Sequence, residues 1–77
     1  MSGLATISGK KLGKILEKLG FKKVYGKGSH VRYIHSDGRR TVVPMHTNED
    51  IRVGLLTEIL KQIKISKDEY EAWRRKV

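Results

Sequence analysis

The chain contains no cysteine. Neither a disulfide framework nor a zinc–thiolate site can therefore hold it together, and nothing points to an oxidising compartment. It also lacks any long apolar run, and its opening MSGLATISGKK has no hydrophobic stretch of the signal-peptide kind. A soluble, cytoplasmic protein without a membrane segment is expected. Internal repeats, low-complexity stretches and interdomain linkers are missing too, and no helix-turn-helix signature is visible. At 77 residues the expectation is one domain, 1–77, whose thin core rests on packing alone.

Acidic residues are scarce: eight Asp and Glu stand against 17 Lys and Arg, for a net charge of +9. Such an excess on a small domain points to a polyanionic partner. The imbalance is local, with ten basic against two acidic side chains in residues 1–40 and seven against six in 41–77. A basic face in the first half is implied. Lysine-rich helices are often merely solvated, and charge alone does not choose between RNA, DNA and an acidic protein.

In SGKKLGKILEKLG, Leu12, Ile15, Leu16 and Leu19 fall at i, i+3, i+4 and i+7, one apolar stripe of a helix. Ser8 can cap its start, while Gly20 and Phe21 suit a Schellman ending. Lys10, Lys11, Lys14 and Lys18 occupy the other face. Gly13 weakens the helix by about 1 kcal/mol relative to alanine, so either packing compensates or a backbone passes close by. Three strands are predicted in FKKVYGKG, SHVRYIHS and RRTVVPM, the last two joined at Asp37-Gly38. A two-residue turn there pairs Tyr33 with Val42, Val31 with Pro44, Arg32 with Val43 and His30 with Met45. Val31, Tyr33 and Val42 then share the covered face, and His30, Arg32, Ile34, Thr41 and Val43 the open one. Leu55, Leu56, Ile59, Leu60 and Ile63 mark a second helix. The capping box SKDE, followed by Tyr70 and Trp73, marks a short third one, with Trp73 read as packing rather than as a base-stacking surface. Helix, three-stranded antiparallel sheet and helix make an α+β fold with one sheet face uncovered.

Three histidines carry the only side chains that titrate near neutrality when unperturbed. His30 and His35 are five apart on one strand and so point to opposite faces, and His35 reads as an exposed surface residue near Arg40. His46 lies where the third strand gives way to a loop, within reach of His30. These two alone could share a site. As metal ligands they would need Glu49 or Asp50, at a spacing that matches no zinc pattern, so neither metal nor cofactor is expected. A phosphodiester suits the residues better: Gly28 allows close approach, Ser29 offers a hydroxyl and an N–H, and Lys27 and Arg32 bring positive charge. RNA carries its own nucleophile, and an imidazole can take the proton from its 2′-hydroxyl.

The stretches KLGKILEKLGF, KGSHVRYIHSDGRRTVVPMH and GLLTEILKQIKIS together resemble the HicA, or YcfA-like, toxin family. The shared features are a Gly-Phe helix ending, a GSH strand opening, an Asp-Gly-Arg turn, a V-P-x-H strand ending and a G-x-L-x-x-I-L helix. The resemblance implies a fold like the double-stranded-RNA-binding domain and a toxin that cleaves mRNA without metal, the GSH histidine, here His30, being catalytic. It gives His46 either a second proton-carrying role or the task of orienting its loop. It further implies a HicB-type antitoxin that covers the basic face and His30. Val53 departs from the family's proline before the last helix, and YEAWRRKV extends beyond the shared pattern. Two other readings remain to be weighed: a non-catalytic RNA-binding module of the same fold, and a DNA-binding regulator.

Overall fold

The computed structural model describes residues 4–25, 28–45 and 49–77. In chain order they form α1 (Gly9–Lys18), β1 (Lys22–Tyr25), β2 (His30–Ile34), β3 (Arg40–Pro44), α2 (Val53–Ile63) and α3 (Lys67–Arg74). The sheet is antiparallel in the order β1-β2-β3. All three helices contribute to one core, so a single face of the sheet is covered.

Local chemistry sets the helix ends. The Ser8 hydroxyl accepts the Lys11 N–H at 3.3 Å at the start of α1. At its end the Phe21 N–H donates to the Leu16 carbonyl and the Gly20 N–H to that of Glu17, the two bonds of a Schellman motif. Leu12, Ile15 and Leu16 are wholly buried, and Phe21 folds in beside them. In α3 the Ser66 hydroxyl accepts the Glu69 N–H, with Asp68 and Glu69 in the first turn favouring the helix dipole. Tyr70 is fully buried and donates its hydroxyl to the Ala5 carbonyl at 2.5 Å, tying the N-terminal segment to α3. Trp73 packs against the core, as its spacing indicates.

The β2–β3 hairpin corrects the expected register by one residue. His30 lies opposite Pro44, Val31 opposite Val43, Arg32 opposite Val42, Tyr33 opposite Thr41 and Ile34 opposite Arg40. The cause is the turn. A two-residue type I′ loop needs positive φ at both Asp37 and Gly38, yet only Gly38 has it, at +98°. The chain instead makes a three-residue loop, Ser36 to Gly38. The His35 N–H donates to the Arg39 carbonyl and the Gly38 N–H to the His35 carbonyl. The Asp37 carboxylate secures it by accepting the Arg39 N–H at 3.0 Å and Nε at 2.8 Å. Chiefly the Arg39 N–H holds the Asp37 carboxyl below its ordinary range.

Because side chains alternate along a strand, the slip exchanges the faces of β3. Thr41 and Val43 are buried and Val42 is exposed, the reverse of the expectation. Thr41 remains satisfied, its hydroxyl donating to Gln62 Oε1 on α2 at 2.6 Å. His35 is likewise half-buried and not the exposed surface residue expected. Its ring meets Phe21 edge-on at 5.0 Å between centroids, and its Nδ1 accepts the Asp37 N–H at 3.1 Å. Arg39 spans the same corner, with its guanidinium 5.1 Å from the Phe21 ring centre and a 2.5 Å bond to the Ile63 carbonyl at the end of α2. Leu55 also departs from its predicted place. Leu56, Ile59, Leu60 and Ile63 line the core, whereas Leu55, beside the stripe, is exposed next to β3.

Burial pushes the phenols of Tyr33 and Tyr70 up to about 12. In the unfolded chain each ionises near pH 10. The stability that keeping both protonated confers is complete below that pH and is lost as pH rises through their folded values. Urea midpoints are expected to hold steady to about pH 9 and then decline towards pH 12. A flat profile over that range would contradict the burial of the two hydroxyls.

Candidate nucleic-acid interface

Opposed residues in an antiparallel sheet share a face, so the pairings define the uncovered surface without further assumption. One row runs Lys22, Ile34, Arg40 and the next Val24, Arg32, Val42. His30 and Pro44 form a third at the end of the sheet. All of these side chains are exposed except Pro44, which is half-buried. His30 thus lies on the face opposite Val31 and Tyr33, as strand parity predicts, and it shares that face with Arg32. The corrected register adds Arg40 and Val42 to the surface and removes Thr41 and Val43. Sequence reasoning missed Arg40 here, because the signal that places it is the loop length.

The approach to His30 is built by the residues before it. Gly28 has φ +65°, a conformation that excludes most side chains at little cost only in glycine, and a Cβ placed there would have nothing within 4 Å. Among the described residues the space beside the Gly28 backbone is therefore open. The Ser29 carbonyl accepts the Met45 N–H at 2.7 Å, which extends the β2–β3 ladder and fixes the chain directly before His30. Two of the residues singled out from the sequence, Lys27 and His46, lie outside the described residues. The expected pairing of His30 with Met45 is replaced by His30 opposite Pro44.

Basic charge is carried by both layers of the fold, on opposite sides. Arg32 and Arg40 stand on the open face, and Lys10, Lys11, Lys14 and Lys18 on the outer side of α1 are all exposed. Among the described residues Arg32 and Arg40 make no ion pair, so their charge is available to an anion. Tyr25, exposed on β1, has the Lys23 ammonium 5.4 Å from its ring centre. No group of three or more His, Cys, Asp or Glu side chains among the described residues is placed to hold a metal ion. No helix among them is long and apolar enough to cross a membrane.

A leading helix, a three-stranded antiparallel sheet and a returning helix, with an uncovered basic sheet face, define an α+β protein built like the double-stranded-RNA-binding domain. The family model described as the HicA toxin of bacterial toxin–antitoxin matches residues 9–65, from the start of α1 to just past α2. The chain belongs to the HicA toxin family, and is accordingly the toxin type of a toxin–antitoxin system. The matched region contains the whole sheet and His30, and leaves α3 outside it. No curated protein matches the chain.

Proposed function

We propose that the chain is an endoribonuclease that cuts mRNA without a metal ion, using His30 as its catalytic acid–base group. The observation that carries this reading is the position of His30, exposed at the first residue of β2, behind a left-handed Gly28 and on one face with Arg32. The general base removes the 2′-hydroxyl proton, the 2′-oxygen attacks the adjacent phosphorus, and the 5′-oxygen leaves with a proton returned to it. The products are a 2′,3′-cyclic phosphate and a 5′-hydroxyl. Arg32 and Lys27 stabilise the charge that builds on the phosphoryl oxygens, and Gly28 and Ser29 present backbone and hydroxyl to the phosphate. His46 either supplies the second proton transfer or orients its loop. An antitoxin of the HicB type covers this face in the resting complex, and the cytoplasm is where both act.

A non-catalytic RNA-binding module would use the same basic face and leave its ligand whole. Labelled RNA incubated with the purified chain in EDTA separates the two. Cleavage is expected, and RNA that is bound but intact would favour the binding module. Cleavage that appears only when a divalent ion is restored would overturn the metal-free mechanism.

A further inference from the structure

β3 is an edge strand, and its pairing shows which backbone groups it leaves over. Hydrogen bonds join His35 to Arg39 and Ser29 to Met45 at the two ends of the β2–β3 ladder. In an antiparallel pair, bonded and non-bonded pairs alternate. The bonded positions of β3 are therefore Thr41 and Val43, and the N–H and C=O of Arg40 and Val42 point away from β2. Pro44 has no N–H to offer, and its carbonyl lies against Gly9 of α1. The open edge is thus short and defined at both ends.

A groove follows this edge, bounded by α2 on one side and the uncovered sheet face on the other. Its apolar lining is Ile34, Val42 and Leu55, exposed to 38%, 42% and 45%. Its cationic lining is Arg32, Arg40 and Lys64, together with Arg39, which is committed to Asp37 and the Ile63 carbonyl. Of the carboxylates there, Asp37 is already bonded to Arg39, which leaves Glu58. Exposed apolar side chains on both flanks of an unpaired strand are an unusual combination, since edges are ordinarily protected against pairing. Here a second copy is deterred by Pro44 and by the +9 charge that each copy carries. The same charge favours a strand bearing carboxylates.

We propose that the β3 edge takes an extended, acidic segment of a partner protein as a fourth strand, its apolar side chains on Ile34, Val42 and Leu55 and its carboxylates beside Arg32, Arg40 and Lys64. Main-chain bonds to Arg40 and Val42 supply pairing, and alternate side chains supply selectivity. Phosphate binding alone would have no use for the apolar lining, which is why a peptide fits this groove better than RNA. Strand spacing puts the added segment about 10 Å from β2, so a partner docked there can extend over His30. From the proposed function this takes only the existence of an acidic protein partner.

The test is a titration of ¹⁵N-labelled chain with a synthetic peptide of roughly eight residues, the length of an ordinary strand, in which pairs of valines alternate with pairs of glutamates so that each face of the strand carries both. The Arg40 and Val42 amides are expected to shift and to exchange with solvent at least about tenfold more slowly. A fully N-methylated copy, and one with lysine for glutamate, are expected to bind at least about tenfold more weakly. Val42→Pro removes an N–H that β2 does not use and should weaken binding to a similar degree. Leu55→Lys, on the exposed side of α2, provides the same readout if the proline variant fails to fold. Unchanged Arg40 and Val42 amides, equal binding of the N-methylated peptide, or protection of those amides by a single-stranded oligoribonucleotide and not by the peptide would each overturn the proposal. RNA cleavage by the same preparation reports separately on the nuclease.

Discussion

His30→Ala is expected to lower RNA cleavage by about 10²- to 10⁴-fold, the range that a positioned acid–base group contributes, and to leave the fold intact. The second half of that expectation is as important as the first. His30 is exposed at the opening of β2 and belongs to no part of the buried core, so truncating it opens no cavity and should cost about 1 kcal/mol or less. Binding of RNA should persist, because Arg32, Arg40 and the α1 lysines are untouched. Single-turnover cleavage rates together with thermal melting check both halves. A large loss of activity in a variant that still melts cooperatively well above the assay temperature is the expected pairing, and activity within about threefold of the parent would remove His30 from the chemistry.

Gly9→Ala is expected to destabilise the fold by about 2 kcal/mol, against the direction that helix propensity predicts. Alanine is the better helix former and also reduces the freedom of the unfolded chain, which together favour it by roughly 1 kcal/mol or more. In this position, however, its Cβ would overlap the Pro44 carbonyl, a backbone atom of β3 that cannot swing aside. Gly13 faces the Tyr33 hydroxyl and, 2.9 Å from an added Cβ, the terminal methyl of Met45. Both obstacles at Gly13 are ends of side chains, of which Met45 yields readily, whereas the obstacle at Gly9 is strand backbone. Gly13→Ala should therefore cost less than Gly9→Ala. For a domain of this size the larger effect corresponds to a fall in melting temperature of about 10 °C. A rise in melting temperature for Gly9→Ala would show that α1 does not lie so close to the sheet.

These two glycines also mark where sequence reasoning stops. Gly13 leaves two explanations open, a compensating packing or a close backbone, and the answer depends on a tyrosine two strands away in sequence. Helix ends were legible because their signals are local: Ser8, Gly20-Phe21 and Ser66 each act within a few residues of the turn they close. The face of His30 was legible for a related reason. Parity along β2 needs no knowledge of the partner strand, so the relation of His30 to Val31, Arg32 and Tyr33 survives any register. Position on β3 does depend on register, and that rests on the φ of one residue. Asp37-Gly38 is compatible with two loop lengths, and the bonds from the Asp37 carboxylate to Arg39 accompany the longer one. Thr41, Val42 and Val43 changed faces together as a result, and Arg40 joined the candidate site. His35 was misplaced because its neighbour Phe21 is distant in sequence, and periodicity carries no information about such a contact.

The fold and the family stand on the helix–sheet–helix order and the match over residues 9–65. The chemistry rests on one claim, that RNA is cut by its own 2′-oxygen with His30 moving protons. An end-labelled RNA cleaved by the chain in EDTA, compared with the same RNA carrying a single 2′-deoxy residue immediately 5′ of the cut phosphate, tests this most directly. With the 2′-oxygen as nucleophile, the deoxy linkage stays intact and the cleaved RNA ends in a 2′,3′-cyclic phosphate. Cutting at the deoxy linkage at an undiminished rate would rule out attack by the 2′-oxygen.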